Sequence, residues 1–264
     1  MIHIERKAQN AVKNVLSFIY FSGNICNMYK IDHLLNANEE VGVIMKDFYM
    51  DLHIHIGRTA SGKPVKITGS KTLTLHTILQ CASSQKGLDM IGVIDCHSPE
   101  VLVEIEGLLK RGEMIELAEG GLRFQETTLL LGSEIEVYDS YCHGPIHVLA
   151  YFPTVEKMKA FSDWMSNHVK NISLSSQRIY VEGRALQQKV YEYDGLFVPA
   201  HVFTPFKSLY GKGVKRSLTE VFDPNYIDAI ELGLSSDTQM VRNIKELQQY
   251  PFLTNSDAHS LGKM

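Results

Sequence analysis

The stretch Asp51-Leu-His53-Ile-His55 decides the fold class, because it ends a short apolar run with two metal-binding side chains two positions apart. In a β-strand the side chains at positions i and i+2 point to the same face, so both imidazoles can bind one ion. A single His-x-His pair is most often a chance or structural pairing. The prediction of a metal site therefore depends on whether similar groups recur along the chain.

Five more motifs follow, each beside an apolar run that predicts a β-strand: Ile94-Asp95-Cys96-His97, Gly132-Ser133-Glu134-Ile135-Glu136, His147-Val148-Leu149, Ala200-His201-Val202 and Ser256-Asp257-Ala258-His259. Together the six motifs offer nine candidate metal ligands, which are His53, His55, Asp95, His97, Glu134, His147, His201, Asp257 and His259. Nine ligands are too many for one ion. The sequence therefore predicts two or three divalent cations, the apparatus of a phosphoesterase. Imidazole and carboxylate ligands suit zinc, manganese, iron or magnesium.

Strand and helix patterns alternate from Met45 onward. The predicted strands are Phe48–His53, Met90–Asp95, Thr128–Gly132, His147–Phe152, Leu196–Pro199, Ile227–Leu232 and Phe252–Thr254. The predicted helices are Leu73–Ser84, Pro99–Arg111, Val155–Val169, Ser176–Tyr193 and Asp237–Gln248. Seven strands alternating with helices favour an α/β parallel barrel over a sandwich. The active site of such a barrel lies at the carboxyl ends of the strands, where the motifs are.

Residues 1–44 lack this alternation and carry no ligand motif, so we expect an extension outside the domain at 45–264. Asn38-Glu39-Glu40-Val41 can be encoded by a purine-rich stretch that resembles a ribosome-binding site, which makes Met45 a candidate translation start. The alternative is a short helical N-terminal extension. After the seventh strand the chain stops at Met264 without a further helix, so we expect a domain truncated at its C-terminus.

The composition favours a cytoplasmic enzyme. The chain has 264 residues, 44% of them hydrophobic, which suffices for one α/β domain. Its four cysteines form no CxxC pair, which favours a reducing compartment. The longest early apolar run, 15–21, is too short to span a membrane. A net charge of -4 argues against a nucleic-acid partner, but two or three bound divalent ions would add about +4 to +6 at the site.

As an ordered series, the nine ligands resemble those of the polymerase-and-histidinol-phosphatase (PHP) domain over residues 48–260. The resemblance implies a distorted (β/α)7 barrel that holds up to three metals. It assigns His53, His55, Glu134 and Asp257 to the first ion, and these four residues are our candidate catalytic groups. Glu134 would bridge to a second ion, held by His147 and His201. A third ion would be held by Asp95, His97 and His259.

A closer resemblance is to the endonuclease Q family of PHP-type DNA repair nucleases. It rests on four segments, 51–58, 63–69, 94–99 and 200–206, which read DLHIHIGR, KPVKITG, IDCHSP and AHVFTPF. The resemblance implies cleavage of DNA on the 5′ side of a deaminated base, such as uracil, hypoxanthine or xanthine, or of an abasic site. That family carries a cysteine-rich zinc module and a helical region after the barrel, and neither is present within these 264 residues.

Basic and aromatic residues near the motifs are the candidate DNA contacts, because lysine and arginine bind phosphate oxygens. They are Arg58, Lys63, Lys66, Lys207, Tyr210 and Lys212. A solvated surface loop is the alternative for each of them. Two other functions stay open. One is a phosphomonoesterase of the histidinol-phosphatase kind, which would use the same metals, and the other is a barrel kept as a non-catalytic structural module.

Overall fold

The computed structural model describes residues 29–31 and 46–264 of the chain. The candidate start at Met45, and most of the predicted extension over residues 1–44, lie outside the described residues and stay predictions. Within the described part, a two-stranded antiparallel sheet joins β1 (Tyr29–Ile31) to β2 (Lys46–Phe48).

The remaining strands are β3 (Met50–Ile54), β4 (Met90–Val93), β5 (Ile115–Glu116), β6 (Leu122–Phe124), β7 (Thr127–Val137), β8 (Ile146–Phe152), β9 (Arg178–Ile179), β10 (Leu196–Pro199), β11 (Ile230–Glu231) and β12 (Phe252–Leu253). The helices are α1 (Leu75–Cys81), α2 (Pro99–Lys110), α3 (Val155–Ser166), α4 (Gly183–Glu192) and α5 (Thr238–Val241). The protein is therefore mixed α/β, and each predicted strand has a counterpart.

Five strands form the path β3-β4-β7-β8-β10 through the main sheet. The pairs β3/β4 and β4/β7 are parallel, whereas β8 is antiparallel to both β7 and β10. The prediction that all strands run parallel is therefore wrong at β8. The physical reason is the short connection 138–145, because a crossover between parallel strands needs a dozen or more residues.

Hydrogen bonds continue from β10 through β11 and β12 back to β3. The Val202 amide donates to the Glu231 carbonyl at 2.9 Å, and β11 pairs in parallel with β12. The Ala258 amide then donates to the His53 carbonyl at 3.1 Å. These contacts bring the last ligand motif beside the first one. The distorted (β/α)7 barrel itself stays a prediction.

Two buried apolar layers hold these elements. The larger one lies between strands and helices and includes Ile54, Ile78 and Phe161. The smaller one draws side chains from successive strands, namely Leu52, Ile94, Leu130, Leu149, Tyr151, Leu196, Val198, Ala200, Ala229 and Leu253. These residues are at most 4% exposed. The strands therefore face a common interior, with the ligand motifs at one end of it.

Helix boundaries follow local signals. Thr154 accepts a hydrogen bond from the Lys157 amide at the start of α3, and Pro99 opens α2. The predicted helix Ser176–Tyr193 begins only at Gly183, because Ser176 has a left-handed backbone (φ 54°) and β9 intervenes. The predicted helix Asp237–Gln248 shortens to α5 and a single 3₁₀ turn. Within the described residues, no helix is both long and apolar enough to cross a bilayer. The cytoplasmic location stays a prediction.

Candidate metal centre

Four side chains converge where β3, β7 and the segment after β12 meet, and we call them the primary cluster: His53, His55, Glu134 and Asp257. His53 Nε2 lies 3.5 Å from Glu134 Oε1 and 3.3 Å from Asp257 Oδ1. His55 Nε2 lies 3.6 Å from Glu134 Oε2 and 3.4 Å from Asp257 Oδ1. The structure thus brings together the four residues predicted to share the first ion.

The atoms of this cluster suit a metal ion by spacing and by their lack of other partners. Ligand atoms about 2.0–2.1 Å from a tetrahedral ion are separated from one another by roughly 3.4 Å, which matches the four distances. His53 Nε2, His55 Nε2 and Asp257 Oδ1 are buried without a hydrogen bond. Buried polar atoms are otherwise nearly always paired, so the donor set fits a divalent cation.

Each histidine of the pair is held through its other ring nitrogen. His53 Nδ1 lies 3.0 and 3.1 Å from the two carboxylate oxygens of Glu231. His55 Nδ1 lies 3.2 Å from Asp95 Oδ2 and 3.2 Å from the Ser175 hydroxyl. When Nδ1–H donates to a carboxylate, Nε2 carries the lone pair that binds a metal. The carboxylates thereby fix both the tautomer and the ring orientation.

Glu231 is the functional residue that sequence reasoning missed. Besides holding His53, its carboxylate accepts hydrogen bonds from the His201 amide at 2.8 Å and from Asn255 Nδ2 at 2.7 Å. It is only 1% exposed. The available signal was a carboxylate at the end of the apolar stretch Ile227-Asp-Ala-Ile-Glu231, where an unpaired charge would be costly.

Glu134 also belongs to a second cluster, formed with His147 and His201. His147 Nδ1 lies 2.8 Å from Glu134 Oε1, and His201 Nε2 lies 3.5 Å from the same oxygen. His147 Nε2 is buried without a hydrogen bond, while Thr204 Oγ1 contacts His201 Nδ1 at 3.1 Å. Because one carboxylate contacts both clusters, Glu134 is placed as the bridging prediction requires.

Two of these ligand residues have backbones in the left-handed region, His201 at φ 30° and Asp257 at φ 48°. Such conformations are strained for residues other than glycine and concentrate at functional sites. The turn after β11 accommodates His201, since Gly233 has φ 77° and a Cβ there would lie 2.8 Å from His201 Cβ. The backbone is thus shaped to present these ligands.

The structure does not assemble Asp95, His97 and His259 into one group among the described residues. Asp95 Oδ2 contacts His55 and the Ile56 amide, although its Oδ1 is buried without a hydrogen bond. His97 has the Ser133 hydroxyl at 2.9 Å and the Leu174 carbonyl at 3.3 Å. His259 instead groups with His55 and Asp257. A third ion stays a prediction.

Electrostatics keep the site carboxylates ionised. Burial alone would raise the pKa of Glu134, but the charge and hydrogen bond of His147 lower it well below its usual range. Burial acts likewise on Asp257, yet the imidazoles of His55 and His53 beside it lower its pKa to about 2. For His53, burial would lower the pKa, but Glu231 and Glu134 raise it well above its usual value. Protonation of His53 would compete with a metal for Nε2, so metal binding weakens in acid.

A cleft of about 550 Å³ opens over the two clusters. Two of the predicted DNA contacts line it, Lys66 and Lys207. Lys66 Nζ lies 3.1 Å from Glu134 Oε2 and 2.6 Å from the Ser176 hydroxyl, which also donates to Glu134. Lys207 Nζ lies 2.9 Å from Glu136. Two exposed apolar side chains, Ile67 and Phe206, also line the cleft.

The other predicted contacts do not line the cleft. Arg58 donates to the Gly62 carbonyl, and Lys63 pairs with Glu100 at 3.1 Å. The Tyr210 hydroxyl donates to Glu246 at 2.8 Å, and burial raises the pKa of that phenol. Lys212 Nζ lies 4.9 Å from the centre of the Phe206 ring, which puts this lysine beside the cleft.

Comparison with solved structures supplies the family. The chain superposes on an endonuclease Q bound to a 27-mer duplex with an abasic lesion at its active site, with a TM-score of 0.66 and 30% identity. The endonuclease Q relationship follows from this match. The chain is a relative of endonuclease Q in the PHP superfamily. The lesion-specific endonuclease PfuEndoQ from Pyrococcus furiosus matches equally well, with a TM-score of 0.65 and 30% identity.

A curated relative from Bacillus subtilis, the uncharacterized protein YqxK, is 63% identical over 220 residues. No family model matches the chain. The aligned regions cover 83% of the chain for YqxK and 80% for each endonuclease Q structure. They cover only 57% of YqxK and 49% and 48% of the two endonuclease Q chains. The chain thus spans about half the length of the relatives it matches.

Proposed function

We propose that the protein is a metal-dependent DNA endonuclease. It would hydrolyse the phosphodiester on the 5′ side of a deaminated base or an abasic site. The observation that carries the proposal is the primary cluster: His53 Nε2, His55 Nε2 and Asp257 Oδ1 are buried without hydrogen bonds, and the four side chains have the spacing of ligands around one ion. Similarity to an endonuclease Q complexed with lesion-containing DNA supports the choice of substrate.

His53, His55, Glu134 and Asp257 would hold one divalent cation, and His147 and His201 would share Glu134 with a second. Such ions lower the pKa of water from about 16 toward about 7 and offset the charge of the phosphodiester. The chain itself keeps the ligand carboxylates ionised, and Glu231 and Asp95 hold the ring nitrogens that face away from the ions. A nucleophilic serine or cysteine is not needed for this chemistry.

Lys66 is the residue that we assign to the substrate phosphate. Its ammonium group is in hydrogen-bond contact with Glu134 at the cleft surface, and its side chain is only 14% exposed. A fixed cation beside the ligand carboxylates can bind a phosphate oxygen of a strand lying in the cleft. Lys207 lines the same cleft and would contact the backbone from another loop.

The test incubates the chain with Mn²⁺ or Mg²⁺ and four substrates: a duplex with one uracil, a duplex with one hypoxanthine, an unmodified duplex, and histidinol phosphate. We expect nicking only of the two modified strands. Release of phosphate from histidinol phosphate with all DNA intact would assign the site to a phosphomonoesterase. No turnover of any substrate by the metal-loaded protein would favour a structural module.

The role of Lys66 has a matched control three residues away. Lys66→Ala should slow nicking by at least about tenfold, because it removes a charged contact to phosphate. Lys63→Ala should leave the rate within about twofold, since Lys63 is 63% exposed and pairs with Glu100. Equal rates for the two variants would remove Lys66 from the substrate site.

A further inference from the structure

An exposed aromatic surface lies where β7 and β9 end, and we call Tyr138, Arg178 and Tyr180 the tyrosine platform. Tyr138 is 37% exposed and Tyr180 is 52% exposed. The Arg178 guanidinium carbon lies 4.7 Å from the centre of the Tyr138 ring and 5.4 Å from that of Tyr180. Arg178 Nη2 also donates to the Tyr138 carbonyl. Cation–π contact and this hydrogen bond hold the two rings and the cation as one unit.

The platform continues the face of β7 that carries the metal ligand. Residues two apart on a strand share a face, so Glu134, Glu136 and Tyr138 follow one another on the same side. β9 pairs in parallel with β7, with Arg178 opposite Glu136 and Ile179 opposite Val137. Continuing this register by one residue puts Tyr180 beside Tyr138. The exposed fraction rises along this face: the side chains of Glu134 and Glu136 are 1% and 16% exposed, and Tyr138 is 37% exposed. The face thus opens from the buried metal centre to solvent.

The cleft and the platform are also adjacent along the chain. Ser176 and Gln177, which directly precede Arg178, line the cleft. The carboxylate between the two regions is Glu136, and it pairs with Lys207 at 2.9 Å. A phosphate backbone passing from the cleft to the platform therefore meets a neutralised acid rather than an unpaired one.

We propose that the tyrosine platform binds the DNA strand that leaves the metal centre. The inference rests on the proposed function and adds a contact to it. Aromatic rings stack on any base, and the guanidinium can bind a phosphate oxygen. At about 3.4 Å per strand residue, Tyr138 lies about 14 Å from Glu134, which equals the rise of about four stacked nucleotides. The platform therefore contacts the strand about four nucleotides from the cleaved bond.

The experiment measures binding of fluorescein-labelled single strands carrying one uracil, with EDTA present so that DNA is bound but not cleaved. The strands have two or six nucleotides on either side of the uracil. Tyr138→Ala and Tyr180→Ala should each weaken binding of a six-nucleotide flank by about tenfold. Neither should affect strands with two nucleotides on both sides. Tyr138→Phe should bind as the unmodified chain does, because it keeps the ring.

Tyr191→Ala is the matched control, since this tyrosine of α4 is 51% exposed and contacts Tyr226 rather than the cleft. It should leave binding unchanged, and thermal melting of every variant checks that the fold is intact. If the platform variants bind the long flanks as tightly as the unmodified chain, the inference is wrong while the proposed function stands. If the unmodified chain binds none of the strands, the proposed function falls together with the inference.

Discussion

The histidine pair at the end of β3 and the Asp95-x-His97 pair after β4 share one sequence pattern but differ in what their atoms contact. In His53 and His55, a carboxylate holds each Nδ1 and each Nε2 is buried without a hydrogen bond. In His97, both ring nitrogens have partners within the protein. The same spacing therefore yields a pair of histidines with unpartnered Nε2 atoms in one place and a histidine bonded within the protein in the other. What separates them is the set of carboxylates that neighbouring strands bring.

The largest effect expected from this comparison is that of Glu134→Gln. Glu134 contacts both clusters, so removing its charge should weaken both ion positions, by more than about a hundredfold in affinity. Elemental analysis after dialysis should find both ions lost, and nicking should stop. Retention of one ion at full occupancy would show that Glu134 does not bridge.

Glu231→Gln should have the next largest effect. It tests whether the carboxylate that holds His53 Nδ1 prepares Nε2 of this histidine to bind a metal. Loss of the anion that holds His53 Nδ1 should weaken metal binding by about 10–100-fold. Calorimetric titration with Mn²⁺ measures the affinity, and ¹⁵N NMR of the histidine ring reports its tautomer. Glu246→Gln is a control outside the cleft. Unchanged affinity with an altered tautomer would limit Glu231 to a structural role.

Acid titration of the metal-free chain probes the second cluster. The nearby His147 imidazole, 3.7 Å away, together with Lys207, lowers the pKa of Glu136 from 4.5 to about 2. A lowered pKa in the folded state stabilises the fold above the unfolded value, and that stability is lost as the pH falls from about 4.5 to about 2. Glu136→Gln should therefore remove about 1 kcal/mol at neutral pH and flatten this acid dependence. If the free energy of unfolding of the unmodified chain exceeds that of Glu136→Gln by the same amount at pH 7 and at pH 3, this prediction is wrong.

The smallest effect on metal binding is expected for His97→Gln, which tests the other side of the comparison. Because His97 is bonded to Ser133 and Leu174, the number of bound ions should not change and affinity should stay within about twofold. Burial of His97 makes some loss of melting temperature expected in itself. Loss of one ion in this variant would instead support the third site that the family resemblance implies.

Local pattern predicted the strands well, because apolar runs and period-2 spacing are properties of short segments. It failed where pairing decides the outcome. The predicted strand Thr128–Gly132 extends to Val137, which places Glu134 inside β7 rather than after a strand. The reversal of β8 likewise depends on a short connection and on its neighbours, and not on its own residues.

By itself, the sequence predicted the series of nine candidate ligands and the shared face of His53 and His55. Only the tertiary structure decided which of the nine candidates converge, and only it brought Glu231, 178 positions away in the chain, against His53. The physical reason is that side-chain direction follows from local backbone geometry, whereas a buried charge needs a partner that chain closure supplies. Glu231 reaches His53 only because β11 and β12 close against β3, whereas His97 is bonded to Ser133 of β7 and to the Leu174 carbonyl.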